Sequence, residues 1–177
     1  MKFVARAIFF LAILAYAMGA FSEEMPQIAG RTLSDKQIAF PSACAGSGCI
    51  IVIGFSHGSQ SQVKAWTVRA NTEFQSIPMI AVYSMAVLED APRLVRGMAV
   101  HGIRSGVPEG QRDHFAIIYQ GEAELKRVVG FQKADAAYVL VLDRKGRIYW
   151  RASGPVTESL FADLKAQTLR ANASVGQ

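Results

Sequence analysis

Two cysteines and one short polar loop are the places where this chain could do chemistry. Cys44 and Cys49 are its only cysteines, in the run Cys-Ala-Gly-Ser-Gly-Cys. In an oxidising compartment, two cysteines across a Gly-rich loop most simply form a disulfide. Closing so small a loop stabilises a fold by about 2 kcal/mol. A redox-active pair, free thiols and metal ligation are the alternatives. A redox pair needs a helix N-terminus beneath one thiol to lower its pKa, whereas Cys49 leads straight into an apolar run. A metal site needs more ligands, and no Cys/His cluster with zinc or copper spacing is present.

The second place is Ser56-His57-Gly58-Ser59-Gln60, directly after that apolar run. Loops at the carboxyl ends of strands form the binding crevices of open α/β sheets. Ser56, His57, Ser59 and Gln60 are therefore candidate partner-binding residues. A lone loop histidine is more often solvated than catalytic. His101 falls near the end of a helix, where the dipole favours its charged form, and His114 begins a strand. Ser56, Ser59 and Ser61 belong to no Gly-x-Ser-x-Gly elbow and read as caps and a polar first turn. No Walker loop and no Gly-x-Gly-x-x-Gly occurs. The residues thus assign no catalytic group, no metal and no cofactor.

Alternating elements must position these residues. Ile50–Phe55 reads as a buried strand. Ser59–Phe74 reads as a helix with Val63, Trp66, Ala70 and Phe74 on one face. Met79–Met85 is a second strand. Asp90-Ala91-Pro92 opens a second helix, with Asp90 as N-cap and Leu94, Val95, Met98 and Ala99 expected inward, ending near Gly102. A polar loop spans 105–113, a third strand Phe115–Tyr119, and a short helix Glu122–Val129 stops at Gly130. Tyr138–Leu142 is an apolar run, and Asp143-Arg144-Lys145-Gly146 is a tight hairpin loop with Gly146 in the left-handed conformation. The returning strand, Arg147–Arg151, is expected to put Ile148 and Trp150 on one face, with Tyr149 and Arg151 on the other. A last helix follows, capped by Thr157. The pattern predicts a three-layer α/β/α sandwich: a central mixed sheet, helices on both faces, and a closing C-terminal β-hairpin plus helix.

The first residues carry the marks of an export signal. Lys2 and Arg6 form a basic region, Ala7–Met18 an apolar one, and Ala20-Phe21-Ser22 a cleavage site. The expected division is a signal peptide at 1–22, an irregular segment at 23–48, the domain at 49–170 and a disordered tail at 171–177. This implies a periplasmic protein, with membrane association only if the leader stays uncleaved. The body of about 155 residues suffices for one domain with a real core. The full chain of 177 residues has a formal charge of +5, and without Lys2 and Arg6 it is +3. That charge is small and scattered, which argues against a nucleic-acid partner.

The order of elements resembles the thioredoxin-like superfamily, in its peroxiredoxin-like branch, over roughly residues 38 to 168. In those relatives a catalytic Cys-x-x-Cys follows the first central strand, the place held here by Ser56–Gln62. A cis-proline precedes the hairpin strand, the place held here by Ala136-Ala137-Tyr138. Both halves of the redox apparatus are missing. One family lacks both, and the chain is similar to it: the mitochondrial ATP synthase assembly factors of the ATPase-expression type. Phe40-Pro41, Gly54-Phe55, Gln62 with Trp66, Tyr138–Asp143, Gly146-Arg147-Ile148 with Trp150, and Ser153-Gly154 carry that similarity. The export signal and the Cys44/Cys49 pair depart from that family. The similarity implies a redox-inactive assembly factor or chaperone whose partner is another protein, a membrane-complex subunit, and the leader adds export. The alternative is an atypical periplasmic thiol-disulfide oxidoreductase using Cys44 and Cys49.

Overall fold

Ile50-Ile51-Val52-Ile53 is apolar without alternation because its strand is covered on both sides. In the computed structural model, which describes residues 23–173, this run lies in β3 (Gly48–Gly54), every residue of which is buried. Ile51 and Ile53 belong to one core and Ile50 and Val52 to the other. Strand β3 sits between β4 (Ile80–Val87), parallel to it, and β6 (Tyr138–Leu142), antiparallel to it. With β1 (Ile28–Thr32), β2 (Gln37–Phe40), β5 (Phe115–Ile118) and β7 (Ile148–Ser153), the sheet runs β2-β1-β5-β4-β3-β6-β7.

Helices α1 (Gln60–Phe74) and α4 (Glu158–Ala173) cover one face through Trp66, Phe74, Phe161 and Leu164. Helix α3 (Glu122–Val129) covers the other through Leu125, Val128 and Val129. The inward stripe of α1 is Val63, Trp66, Ala70 and Phe74, as the 3.6-residue spacing requires. Thr157 caps α4, its Oγ1 accepting from the Leu160 amide at 3.2 Å. Gly146, at φ +80°, closes the hairpin.

Four expectations need correction. Residues 23–48 are not irregular. The strands β1 and β2 form a hairpin on the sheet's far edge, with β1 also paired to β5. Gly30 reads as a breaker but is a close-approach site: a Cβ there would come within 2.7 Å of the Ile117 carbonyl. Residues 171–173 are the last turn of α4, with Ala171 buried, so the tail does not begin at 171. The leader at 1–22 and the last four residues lie outside the described residues.

Ile148 and Trp150 fall on opposite faces. Leu142 pairs with Ile148 while Val141 pairs with Trp150, so Tyr149 is an extra residue in a β-bulge. Ile148 joins the α3-side core and Trp150 packs on the α4 side. Finally, α2 (Arg93–Gly106) buries none of its residues and continues past Gly102. Leu94, Val95 and Met98 point out to solvent rather than inward. The loop after it is wound into a 3-10 turn at Glu109–His114.

Candidate functional site

Strand β3 ends at Gly54, and the chain turns through a 3-10 segment, His57–Ser59, before α1 begins. Across from this turn lies the segment that leads into β6. The two are laced together by three side chains. The Ser56 hydroxyl donates to the Asp135 carboxylate at 2.6 Å and lies 3.1 Å from the Ala134 carbonyl. Gln62 reaches over from the first turn of α1. Its Nε2 donates to the Asp135 carbonyl at 3.2 Å and its Oε1 accepts from the Ala137 amide at 3.1 Å. Gln62 therefore satisfies two backbone groups that no strand pairs. Gly58 makes the approach possible: a Cβ there would fall 2.3 Å from Asp135 Oδ1.

Next to the lacing three aromatic rings pack together. Phe55 meets Phe131 and Tyr138 edge-on at 5.1 and 5.5 Å, and Phe131 stacks on Tyr138 at 5.6 Å. The fully buried Tyr138 hydroxyl accepts from the Gln132 and Lys133 amides at 2.8 and 3.0 Å and donates to the Lys133 carbonyl at 2.9 Å. A recess of about 350 Å³ opens beside it, lined by Gln62, Lys133, Asp135, Tyr138 and Gly154 among others.

The expected site residues are divided by this geometry. His57 and Gln60 are exposed on the turn and Ser56 is half-buried, and none of the three lines the recess. Ser59 is buried, its hydroxyl donating back to the Ser56 carbonyl at 2.8 Å, so it shapes the turn and faces no partner. Asp135 was not legible from the sequence; it lies far along the chain and belongs to no motif. The Ser56 proton is held by the Asp135 carboxylate and not by an imidazole base. What the recess offers is amide, carboxylate and backbone hydrogen-bonding groups, which suit a peptide segment. Among the described residues, no cluster of His, Cys, Asp or Glu could hold a metal ion.

Cys44 and Cys49 form a disulfide, and both are buried. Cys49 pairs with Leu142 at the opening of β3. The crevice is at the other end of that strand, roughly 20 Å away at about 3.3 Å per residue. The disulfide lies in the α3-side core and takes no part in the crevice.

Residues 9–169 match the profile of a family described as ATP10 protein. No curated protein matches the chain. Among solved structures, a putative protein disulfide isomerase from Bacteroides thetaiotaomicron is similar, with a TM-score of 0.59 at 16% identity, covering 85% of this chain and 88% of that one. A putative thiol:disulfide interchange protein, DsbE, from Chlorobium tepidum gives 0.57 at 14% identity, covering 85% and 96%. BsSco, a member of the Sco family of cytochrome c oxidase assembly proteins, gives 0.56 at 9% identity, covering 84% and 95%. At such identities the likeness establishes a thioredoxin-like fold.

Proposed function

The chain belongs to the ATP10 protein family, and on that premise we propose that it is a redox-inactive assembly factor that holds a segment of an ATP synthase subunit while the membrane complex is built. The observation that carries this reading is the lacing of Ser56, Gln62 and Asp135. It fills the place where a thioredoxin-like enzyme keeps its thiols with fixed hydrogen bonds and no sulfur. Such a crevice still binds a peptide, because pocket and backbone groups remain when the thiols go. His57 and Gln60, exposed on the turn next to Ser56, are the residues a partner meets first. We further propose an exported, periplasmic location. It is supported by the leader-like composition of residues 1–22 and by a buried disulfide, which persists in oxidising compartments.

Affinity capture from the membrane fraction tests the assembly reading. The unaltered protein is expected to co-purify an ATP synthase subunit. The His57→Ala, Gln60→Ala double variant should stay within about 0.5 kcal/mol of the parent's stability, as exposed positions do, and should lose that partner. Retention of the partner would move the site away from the crevice. Failure of the unaltered protein to capture any subunit would overturn the reading.

The oxidoreductase alternative draws no support from a pair that is buried and at the far end of β3. Native protein is expected to show no titratable thiol without reductant, even when unfolded, and no insulin reduction. Cys49→Ser should lower stability by about 2 kcal/mol through the lost loop closure. Insulin turnover that disappears in Cys49→Ser would restore the enzyme.

A further inference from the structure

Helix α2 keeps Ala99, Val100 and Ile103 half-buried against the fold but turns a second set of apolar side chains outward. Leu94 is 90% exposed, Met98 69% and Val95 43%. Two of its three arginines are tied to the fold. Arg96 donates to the Ala91 and Glu89 carbonyls at 2.9 and 2.6 Å, its guanidinium over the Tyr119 ring, and Arg104 pairs with Asp35 at 3.0 Å. Leu94, Met98 and His101 lie at i, i+4 and i+7, one stripe of the helix surface. Gly97 and Gly102 have open space beside them, and each glycine weakens a helix by about 1 kcal/mol relative to alanine. A helix this weak, with no fully buried residue and with Leu94 and Met98 in water, is built to meet something outside the fold.

Charge and area select what it meets. Between Arg93 and Gly106 there are three arginines and one histidine and no carboxylate. Arg96 and Arg104 are tied down, which leaves exposed Arg93 and His101 beside the apolar stripe. The flanking Asp90 lies 3.7 Å from Lys126, so its charge is partly offset. Three large apolar side chains fall well short of the roughly 800 Å² that each partner contributes to a stable protein interface. Shallow insertion into a bilayer needs no complementary partner surface and gains from nearby cations.

We propose that α2 docks on an anionic lipid bilayer, with Leu94 and Met98 at the headgroup boundary and Arg93 among the lipid phosphates. The contact is peripheral: no helix of the described residues is long and apolar enough to cross a membrane. It is also independent of the crevice and of the fate of the leader. One such patch binds weakly and acts as an added attachment.

The test uses the full-length Met98→Cys variant carrying an environment-sensitive fluorophore. The native cysteines are buried in their disulfide, so the introduced thiol is the reactive one. Vesicles of phosphatidylcholine with phosphatidylglycerol should shift the emission to the blue, and vesicles of phosphatidylcholine alone should do so far less. The same label on Lys145→Cys, at the hairpin tip, should not respond. Adding Leu94→Asp should weaken partitioning by about tenfold or more, the value of one exposed leucine moved out of water. Absence of a shift at position 98, or partitioning unchanged by Leu94→Asp, would overturn the proposal. So would a label already shifted without lipid in a protein that sizes as a dimer, which would give the stripe to a second copy.

Discussion

Trp66→Ala will cost the fold about 3–5 kcal/mol, the range for truncating a fully buried tryptophan and a large part of the stability of an ordinary domain. Trp66 is completely buried on the inner face of α1. Its indole nitrogen donates to the Gly154 carbonyl at 2.9 Å, and its ring lies 6.4 Å from that of Phe161. One side chain thus ties α1 to α4 and to the turn that joins β7 to α4. Truncation leaves a cavity among three elements and an acceptor without its donor. Urea melts followed by far-ultraviolet circular dichroism would measure the shift. Trp150→Ala is the control. That ring is only half-buried, and its nitrogen bonds Asp163 at 2.8 Å at the surface, so its loss should move the midpoint much less. Equal shifts would mean that the two tryptophans have been given the wrong burial.

Asp143→Ala should cost about 2–4 kcal/mol at neutral pH, because it strips partners from two backbone amides at once. The buried Asp143 carboxylate accepts from the Lys145 and Arg147 amides at 2.9 and 3.0 Å and from the Arg147 guanidinium at 2.8 and 2.7 Å. Burial by itself would push its pKa up. The hydrogen bonds from the Arg147 amide and side chain and from the Lys145 amide outweigh burial and hold the carboxyl below its ordinary range. A carboxyl lowered in the folded state stabilises the fold fully above its unfolded pKa of about 3.9. That contribution drains away as pH falls through the lower folded value. The wild-type protein should therefore lose stability on acidification below about pH 4, and the gap between it and Asp143→Ala should narrow over the same interval. A gap that stays constant into strong acid would show that the hairpin does not depend on the ionised form.

Where periodicity alone decides, the sequence was readable. The stripe of α1, the run of β6, the stop of α3 at Gly130 and the cap at Thr157 all follow from local spacing or local chemistry. Periodicity says that a helix has an apolar side but not which way that side turns. Leu94 and Met98 were for that reason expected inward. The bulge at Tyr149 has no signature in its residue types, and one extra residue was enough to send Ile148 and Trp150 to opposite cores. The β1–β2 hairpin was hidden because Gly30 and Pro41 resemble loop residues when seen without the strands beside them. At the crevice, the place could be found from the end of β3, but not its latch. Ser56 and Asp135 meet only because β6 lies against β3, and no local pattern announces a pairing between segments so far apart.

That same pairing has a temporal consequence. Strand β3 leaves the ribosome early, yet one of its two neighbours is β6, and residues 55–137 must all be made before β6 appears. The hairpin and α4 that seal the second core come later still. Sheets whose central pairings are distant along the chain close slowly and late. Through most of its synthesis this polypeptide is an open thread with its most apolar strand half-paired. Until β6 and α4 have been made, it remains within reach of chaperones.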